Sequence, residues 1–248
     1  FKNLHIAASG NYNLFTTTNA TYDPTLHVED CTVDAAYNVV YDSHNTQNFK
    51  SVYFGNSIVK MTVANKPFYS TKSKGAYTQQ SIRLENNVFY AETPLQNYLI
   101  NCGDRSQAFQ TTRLQVEVTN NTIYNIYQPN IMIRAYVLAG LTVTKNVGYY
   151  TGVTAKNYLT GVYDTAGFTA DKAEVTYNYL YTAPVSDTNF WSAKHTGSYT
   201  PANNQMGDGV EAPFSSMDAA KGYFPVDASV VKTGAGATYD TKAWFKAE

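Results

Sequence analysis

The chain has 248 residues, a formal net charge of −1, and charged side chains at only 15% of its positions. This balance argues against a nucleic-acid partner, which requires a basic stripe for its phosphates, and against attraction to an anionic membrane surface. The sequence contains no apolar run of about 18 residues, so it predicts no membrane insertion of this segment. Long segments with helical periodicity are absent as well, which favours a fold built from strands.

A degenerate motif recurs along the chain: two apolar residues separated by one position, then a polar residue, a small residue or Asn, and a second apolar pair. Its six clear copies begin at Leu26, Val52, Ile82, Val116, Leu141 and Ala173, and a weaker copy begins at Leu4. Successive copies start between 22 and 34 residues apart. Repeats of this length with irregular insertions are typical of solenoids, and the alternation within each copy indicates a strand.

Aligned copies show positions with distinct physical roles. Every residue in the first and third positions is apolar, so both positions are predicted to face the interior of the coil. The sixth position holds Ser9, Cys31, Ser57, Asn87, Asn121, Asn146 and Asn178. Asn suits a sharp bend after a strand, and stacked Asn side chains bond one another across coils about 4.8 Å apart. We therefore expect the four asparagines to form a ladder at one bend.

Coils with this apolar-x-apolar-x-Asn-Asn pattern resemble the right-handed parallel β-helices of the pectate-lyase-like superfamily. The resemblance implies an all-β fold: a single-stranded right-handed parallel β-helix of about seven coils over residues 1–183. The tail, from Gly222 to Ala237 and from Tyr239 to Trp244, is similar to the tails of uncharacterised exported β-helix proteins of gut Bacteroidetes. Those proteins are associated with polysaccharide utilisation, which implies an exported or surface-anchored protein of carbohydrate metabolism.

Residues 184–248 lack the repeat and are punctuated by four prolines. The last coil of a solenoid exposes unpaired strand edges that need a cover. We expect this segment to be an irregular C-terminal cap of the same domain, folded over the last coil. The aromatic residues expected to be buried against that coil are Phe190, Trp191, Phe224 and Trp244.

Charged side chains concentrate on the outward positions of the repeat. The set within three or four coils is His27, Glu29, Tyr53, Arg83, Glu85 and Glu117. Polysaccharide lyases need a base beside a uronate carboxylate and a cation, Ca²⁺ or Arg, that neutralises it. Arg83, Glu85 and Glu117 are the candidate catalytic residues, and His27, Glu29 and Tyr53 are candidate substrate-binding residues. The alternative is a set of cross-strand ion pairs with no catalytic role.

Aromatic residues concentrate in the last third of the chain. Tyr149, Tyr150 and Trp191 are candidates for stacking on sugar rings. The alternative is that the tyrosines are strand formers whose rings fill the interior.

Three functions remain open from the sequence. The first is a glycan-associated β-helix that binds polysaccharide or supports its uptake, the second is a lyase acting by β-elimination on a uronate-containing glycan, and the third is a structural or adhesive spacer. No cofactor and no metal site are expected, except Ca²⁺ for the lyase. The expected state is a monomer at the cell surface or outside the cell. The chain begins at Phe1 within a repeat, so we expect a segment upstream of it, with or without a lipid anchor.

Overall fold

The computed structural model describes most of the chain. The described residues are 1–8, 10–16, 24–42, 49–71, 80–102, 114–128, 131–135, 138–151, 157–162, 173–183, 188–191, 201–207 and 211–239.

The strands of the described residues form three parallel sheets. The first sheet contains β3 (Thr25–Glu29), β6 (Ser51–Gly55), β9 (Gln80–Glu85), β12 (Leu114–Thr119), β15 (Leu138–Thr144) and β18 (Ala173–Thr176). The second sheet contains β1 (His5–Ala7), β4 (Thr32–Ala35), β7 (Ile58–Met61), β10 (Val88–Gln96), β13 (Thr122–Tyr127), β16 (Val147–Thr151), β19 (Tyr179–Ala183) and β21 (Gln205–Met206). The third sheet contains β2 (Phe15–Thr16), β5 (Val40–Asp42), β8 (Tyr69–Thr71), β11 (Ile100–Cys102), β14 (Ile131–Ala135), β17 (Asn157–Val162) and β20 (Thr188–Trp191).

The chain visits the three sheets in turn, and each strand from β1 to β17 pairs in parallel with the strand three further along the chain. At the end of the chain, β21 pairs with β19. This is a parallel β-solenoid, so the predicted β-helix class is confirmed. The sequence predicted about seven coils, and the described strands form sheets of six, eight and seven strands. Among the described residues, no helix has the length and apolar character that a membrane crossing requires.

The first sheet confirms the predicted inward positions from Leu26 to Val175. Val52 pairs with Leu26 and with Ile82, and the same register continues through the later strands. The third-position residues Val28, Phe54, Leu84, Val118, Val143 and Val175 are all fully buried. Successive side chains on a strand point to opposite faces, so the motif places one apolar set in the interior and one polar set outside.

The weak copy at Leu4 does not belong to this alignment. β1 pairs with β4 of the second sheet, and Lys2 lies opposite Glu29. Asn3 has a left-handed φ of 56° and is therefore the bend residue of this coil. The pairing with the first sheet ends before it, at Lys2. Leu4 is 46% exposed, and the prediction that its side chain points inward was wrong.

The predicted asparagine ladder is confirmed and is longer than expected. Each side-chain amide donates to the amide oxygen of the next coil, at 3.0 Å from Asn87 to Asn121, 2.9 Å from Asn121 to Asn146 and 3.0 Å from Asn146 to Asn178. Asn204 adds a further rung, because Asn178 donates to it at 3.0 Å. Each amide oxygen also accepts the main-chain N–H of the preceding rung. The ladder therefore satisfies buried main-chain groups that the bend leaves without sheet partners.

The left-handed residue at each bend is the one before the ladder position. Positive φ angles occur at Asp30, Asn56, Asn86, Asn120, Lys145, Tyr177 and Asn203. Asn and Asp tolerate this conformation best, whereas Lys145 and Tyr177 occupy it at the cost of local strain. Asn thus has two separate roles in the repeat. At the fifth position it tolerates the left-handed backbone, and at the sixth its side-chain amide forms the ladder.

The solenoid continues beyond residue 183. β20 extends the third sheet, β21 extends the second sheet, and Asn204 belongs to the ladder. Trp191, expected in the cap, lies in β20 and is buried with the solenoid core. Trp244 lies outside the described residues.

Residues 211–239 run along the outer face of the second sheet. Phe224 is fully buried there, with its ring 4.1 Å from the ring of Tyr124. Gly236 donates its main-chain N–H to the Lys145 carbonyl at 2.8 Å, and its φ of 102° suits glycine. The expectation that Phe224 is buried is confirmed, but it was expected to pack against the last coil. It packs instead on the tyrosines of the outer face of the second sheet, which is apolar.

We expect Asn121→Leu to lower the free energy of unfolding by at least about 2 kcal/mol, because each buried polar group left unpaired costs about 1–3 kcal/mol. The variant removes the acceptor for the main-chain and side-chain N–H groups of Asn87 and the donor to the Leu84 carbonyl. The measurement is equilibrium denaturation in urea. Thr144→Leu, at a half-buried outward position, is the control and should change stability by less than about 0.5 kcal/mol. Equal stability of Asn121→Leu and the parent chain would contradict a structural role for the ladder.

We expect Phe224→Ala to destabilise the protein by about 3–5 kcal/mol, because the change opens a cavity over the second sheet. The control Met217→Ala lies in the same segment, where Met217 is largely exposed, and should have little effect. Both variants are compared with the parent chain by urea denaturation followed through tyrosine fluorescence. If Phe224→Ala unfolds at the same urea concentration as Met217→Ala, residues 211–239 do not stabilise the solenoid.

Candidate functional site

The first sheet aligns the predicted site residues in one row. His27 pairs with Tyr53, Tyr53 with Arg83, and Arg83 with Glu117, each at the outward second position of its strand. Glu29 and Glu85 lie two positions further along their strands, on either side of Gly55. We call these six residues the ridge; they are His27, Glu29, Tyr53, Arg83, Glu85 and Glu117. The sequence prediction that they lie close together is therefore correct.

The guanidinium of Arg83 forms ion pairs with two carboxylates of the ridge. Arg83 lies 2.6 Å from a carboxylate oxygen of Glu85 and 3.7 Å from one of Glu117. Its guanidinium also lies 5.5 Å from the centre of the Tyr53 ring. The two carboxylates compensate the positive charge, which reduces the attraction that Arg83 exerts on a uronate carboxylate.

Tyr53 lies flat on the strand and packs against His27, with ring centres 4.6 Å apart. A Cβ on Gly55 would clash with the Tyr53 hydroxyl, so glycine at that position makes room for the ring. Burial, and after it the carboxylates of Glu85 and Glu29, raise the pKa of the Tyr53 hydroxyl. The hydroxyl therefore stays protonated near neutral pH and is a poor general base.

Glu29 is held by a cation from the first residues of the chain. Lys2 donates to a Glu29 carboxylate oxygen at 2.9 Å, and His27 lies 3.6 Å from the same oxygen. The hydrogen bond from Lys2 lowers the pKa of the Glu29 carboxyl below its ordinary value. Glu29 is therefore ionised and paired at neutral pH.

A depression of about 550 Å³ follows the ridge, lined by residues that include His27, Tyr53, Arg83 and Glu117. Within the described part of the chain, no group of three or more His, Cys, Asp or Glu side chains is arranged to hold a metal ion. The ridge is thus a row of mutually compensated charges. This arrangement fits the cross-strand ion pairs that the sequence left as an alternative.

The three aromatic residues expected to stack on sugar rings are buried. Tyr149 is 7% exposed, and its ring packs between those of Tyr124 and Tyr181 beneath Phe214. Tyr150 and Trp191 are buried as well. Their rings fill the interior or the covered face of the second sheet, so they present no open face on which a sugar ring could stack in this structure.

A second depression, which the sequence did not indicate, lies along the third sheet. It has a volume of about 310 Å³ and spans four consecutive strands, from β2 to β11. We call it the groove; its lining includes Asn13, Tyr37, Asn38, Tyr41, Lys66, Ser70, Tyr98 and Asn101. Amide and hydroxyl groups alternate there with tyrosine rings.

Hydrogen bonds and ring contacts fix the side chains of the groove. Asn38 donates its side-chain amide to the side-chain oxygen of Asn13 at 2.7 Å. Lys66 places its ammonium 3.9 Å from the centre of the Tyr37 ring. At the other end, Arg134 donates to the Asn101 side-chain oxygen at 2.8 Å and lies 4.6 Å from the centre of the Tyr98 ring. The polar surface is therefore organised before any ligand arrives.

Sequence reasoning missed the groove because the third strands carry a weaker repeat than the first. Two segments around it, Asn38–Tyr41 and Tyr98–Ile100, have the sequence of short strands, but their polar residues follow no clear repeat. Val39, Phe68 and Leu99 are fully buried, and so is the residue after each of them. The residues that line the groove there are the ones just before: Asn38, Pro67 and Tyr98. A second alignment of the copies on these strands provides the signal.

Comparisons of the chain with protein-family models, with curated proteins and with solved structures found no match. The class of protein defined here, a parallel β-solenoid with a polar and aromatic groove, therefore rests on the geometry alone.

We expect Lys2→Met to raise the pKa of Glu29 towards the ordinary value of a glutamate, because the variant removes the strongest hydrogen bond to the ionised carboxylate. In the parent chain this pair stabilises the fold above the ordinary pKa of Glu, and the contribution is lost as the pH falls through the lowered pKa. Carbon-detected NMR titration of the Glu29 carboxyl measures the change. Lys60→Met, which removes the partner of Glu92, is the control and should leave Glu29 unchanged. An unaltered Glu29 titration in Lys2→Met would contradict the pairing.

Proposed function

We propose that this protein binds polysaccharide along the groove of the third sheet. One observation supports the proposal above the others: tyrosine rings, side-chain amides and hydroxyls from four consecutive coils line one continuous depression. Sugar rings have apolar faces that pack on aromatic rings, and hydroxyls that bond amide and hydroxyl groups. A groove built from both kinds of group suits a chain of sugars.

The repeat of the solenoid supports a polymeric ligand. Coils stack about 4.8 Å apart, so each step along the groove offers a sugar chain a new set of groups at a similar spacing. Asn13, Asn38 and Asn101 contribute amides from three of the four coils. A small ligand would use one coil, whereas a polysaccharide uses several at once.

Binding without catalysis is the form of the proposal that the ridge supports. A lyase requires a cation available to a uronate carboxylate and a base near it. Arg83 is paired with Glu85 and Glu117, and the pKa of Tyr53 is raised. A polysaccharide ligand also fits the exported or surface location, which rests on the resemblance of the tail, and the pectate-lyase-like family, which rests on the resemblance of the coils.

We expect Tyr37→Ala and Tyr98→Ala each to weaken polysaccharide binding by about 5- to 10-fold, because each removes a ring of the groove. The matched control is Tyr53→Ala, which removes an aromatic ring from the ridge on the first sheet. Affinity gel electrophoresis against a panel of neutral and acidic polysaccharides measures retardation for the parent chain and the three variants.

Retention of full affinity by Tyr53→Ala, together with loss in the two groove variants, supports the proposal. The proposal fails if no polysaccharide in the panel retards the parent chain. It also fails if Tyr53→Ala loses affinity while Tyr37→Ala and Tyr98→Ala keep it, because the ridge would then be the site.

A further inference from the structure

Lys66 is the one cation among the described residues that line the groove. Its ammonium donates to the hydroxyl of Tyr37 and lies 3.9 Å from the centre of that ring. Both contacts are with a neutral group, and the ion pairs of the described residues do not include Lys66. The described lining contains no carboxylate either. Lys66 therefore carries a charge that no carboxylate of the described residues compensates.

The lack of a carboxylate partner distinguishes Lys66 from paired cations elsewhere in the described part of the chain. Lys60 on the second sheet pairs with Glu92, and Arg83 on the ridge pairs with Glu85. Lys66 is half-buried, and a charge that is partly removed from water costs free energy unless a partner of opposite charge compensates it. A ligand that brings an anionic group supplies that partner.

Hydrogen bonds fix the main chain around Lys66. The side-chain amide of Asn97, which is fully buried, donates to the Lys66 carbonyl at 2.7 Å and to the Val63 carbonyl at 3.1 Å. Asn65 has a left-handed φ of 57° and donates its main-chain N–H to the Gln96 carbonyl at 2.9 Å. A group that is held in place before binding loses little freedom when a ligand arrives, so more of its interaction energy contributes to affinity.

The strands of the third sheet contribute neutral groups to the groove. Tyr41, Ser70 and Asn101 lie opposite one another in β5, β8 and β11, and all three line the depression. A lysine ammonium has three N–H donors, and Tyr37 accepts one of those of Lys66. Two donors therefore remain for a ligand, beside hydroxyl and amide groups that suit the hydroxyls of a sugar.

From these observations we infer that the groove holds one anionic group of its polysaccharide, a carboxylate or a sulfate ester, against the ammonium of Lys66. This inference rests on the proposed function and names the substrate class of the same site. Oxygen atoms of the anionic group accept from the two remaining donors of Lys66, and the neutral part of the sugar chain lies over Tyr41, Ser70 and Asn101. Hydrogen bonds between charged groups are about twice as strong as those between neutral groups, so the anionic group decides which polysaccharide binds.

The test uses two matched pairs of hexasaccharides whose members differ only in the anionic group. One pair is hexagalacturonate and its methyl ester, in which the carboxylates are neutral. The other pair is a κ-carrageenan hexasaccharide and its desulfated form. Isothermal titration calorimetry with the full chain measures the affinity for all four. We expect the charged form of at least one pair to bind at least about tenfold more tightly than its neutral form, and the difference to decline as salt is added.

Variants of Lys66 locate the preference. Lys66→Met should reduce the ratio of the two affinities to less than about threefold, and Lys66→Arg, which keeps the charge, should retain most of it. Lys60→Met is the matched control, because it removes one positive charge from the second sheet and should leave the ratio unchanged. The readout is the ratio between two forms of one sugar. Loss of the contact with Tyr37 lowers both affinities, so it does not imitate the expected result.

The outcomes separate this inference from the proposed function. Equal affinity for the charged and neutral forms of every pair that binds overturns the inference and leaves the proposed function intact, and so does a ratio that survives in Lys66→Met. If neither pair binds, the polysaccharide that retards the parent chain most strongly in the gel decides. A neutral one overturns the inference; an acidic one supports it if Lys66→Met weakens the retardation and Lys60→Met does not, and overturns it otherwise. If no polysaccharide binds, the proposed function itself fails.

Discussion

Parallel stacking of coils, with main-chain hydrogen bonds running along the axis, is the constraint on which the rest of this protein depends. Strands pair at a fixed spacing of about 4.8 Å, so residues at one position of the repeat lie in a row. The buried ladder from Asn87 to Asn204 fixes the register at the bend between the first and second sheets. A slip by one residue would place the apolar side chains outside and break the ladder, so few alternative registers are possible.

The same register builds both surface features. It aligns His27, Tyr53, Arg83 and Glu117 on the first sheet, where opposite charges lie on adjacent strands and compensate one another. On the third sheet it aligns amides, hydroxyls and rings, with few charges. A solenoid repeats chemistry at the spacing of its coils, and this spacing is close to that of sugars in an extended chain. The ridge and the groove therefore differ in composition and not in architecture.

The C-terminal segment shows how tertiary packing changes the meaning of aromatic residues. Tyr124 and Tyr149 lie outward on the second sheet, where an isolated solenoid would expose them. Residues 211–239 cover this face, and Phe214 and Phe224 pack on the tyrosine rings. An exposed row of tyrosines would suit a sugar polymer, but here the row is a second apolar core. The segment also links distant coils by hydrogen bonds. The main-chain N–H of Thr238 donates to the side-chain oxygen of Asn86, and the side-chain amide of Gln205 donates to the Val230 carbonyl.

The sequence by itself determined the coil, its inward positions and the ladder, because strand alternation and buried amides impose strict patterns on each copy. It also determined that the ridge residues lie together, since shared register follows from the motif. Only the tertiary structure decided that Leu4 is exposed, that Tyr149 is covered and that the groove exists. These outcomes depend on the packing of chain segments that lack the repeat. They also depend on side chains such as Lys66 and Arg134, each of which contacts a tyrosine ring of the neighbouring coil. The pattern within one copy carries no information on such contacts, because Lys66 meets Tyr37 and Arg134 meets Tyr98 from one coil to the next, about 30 positions or more apart.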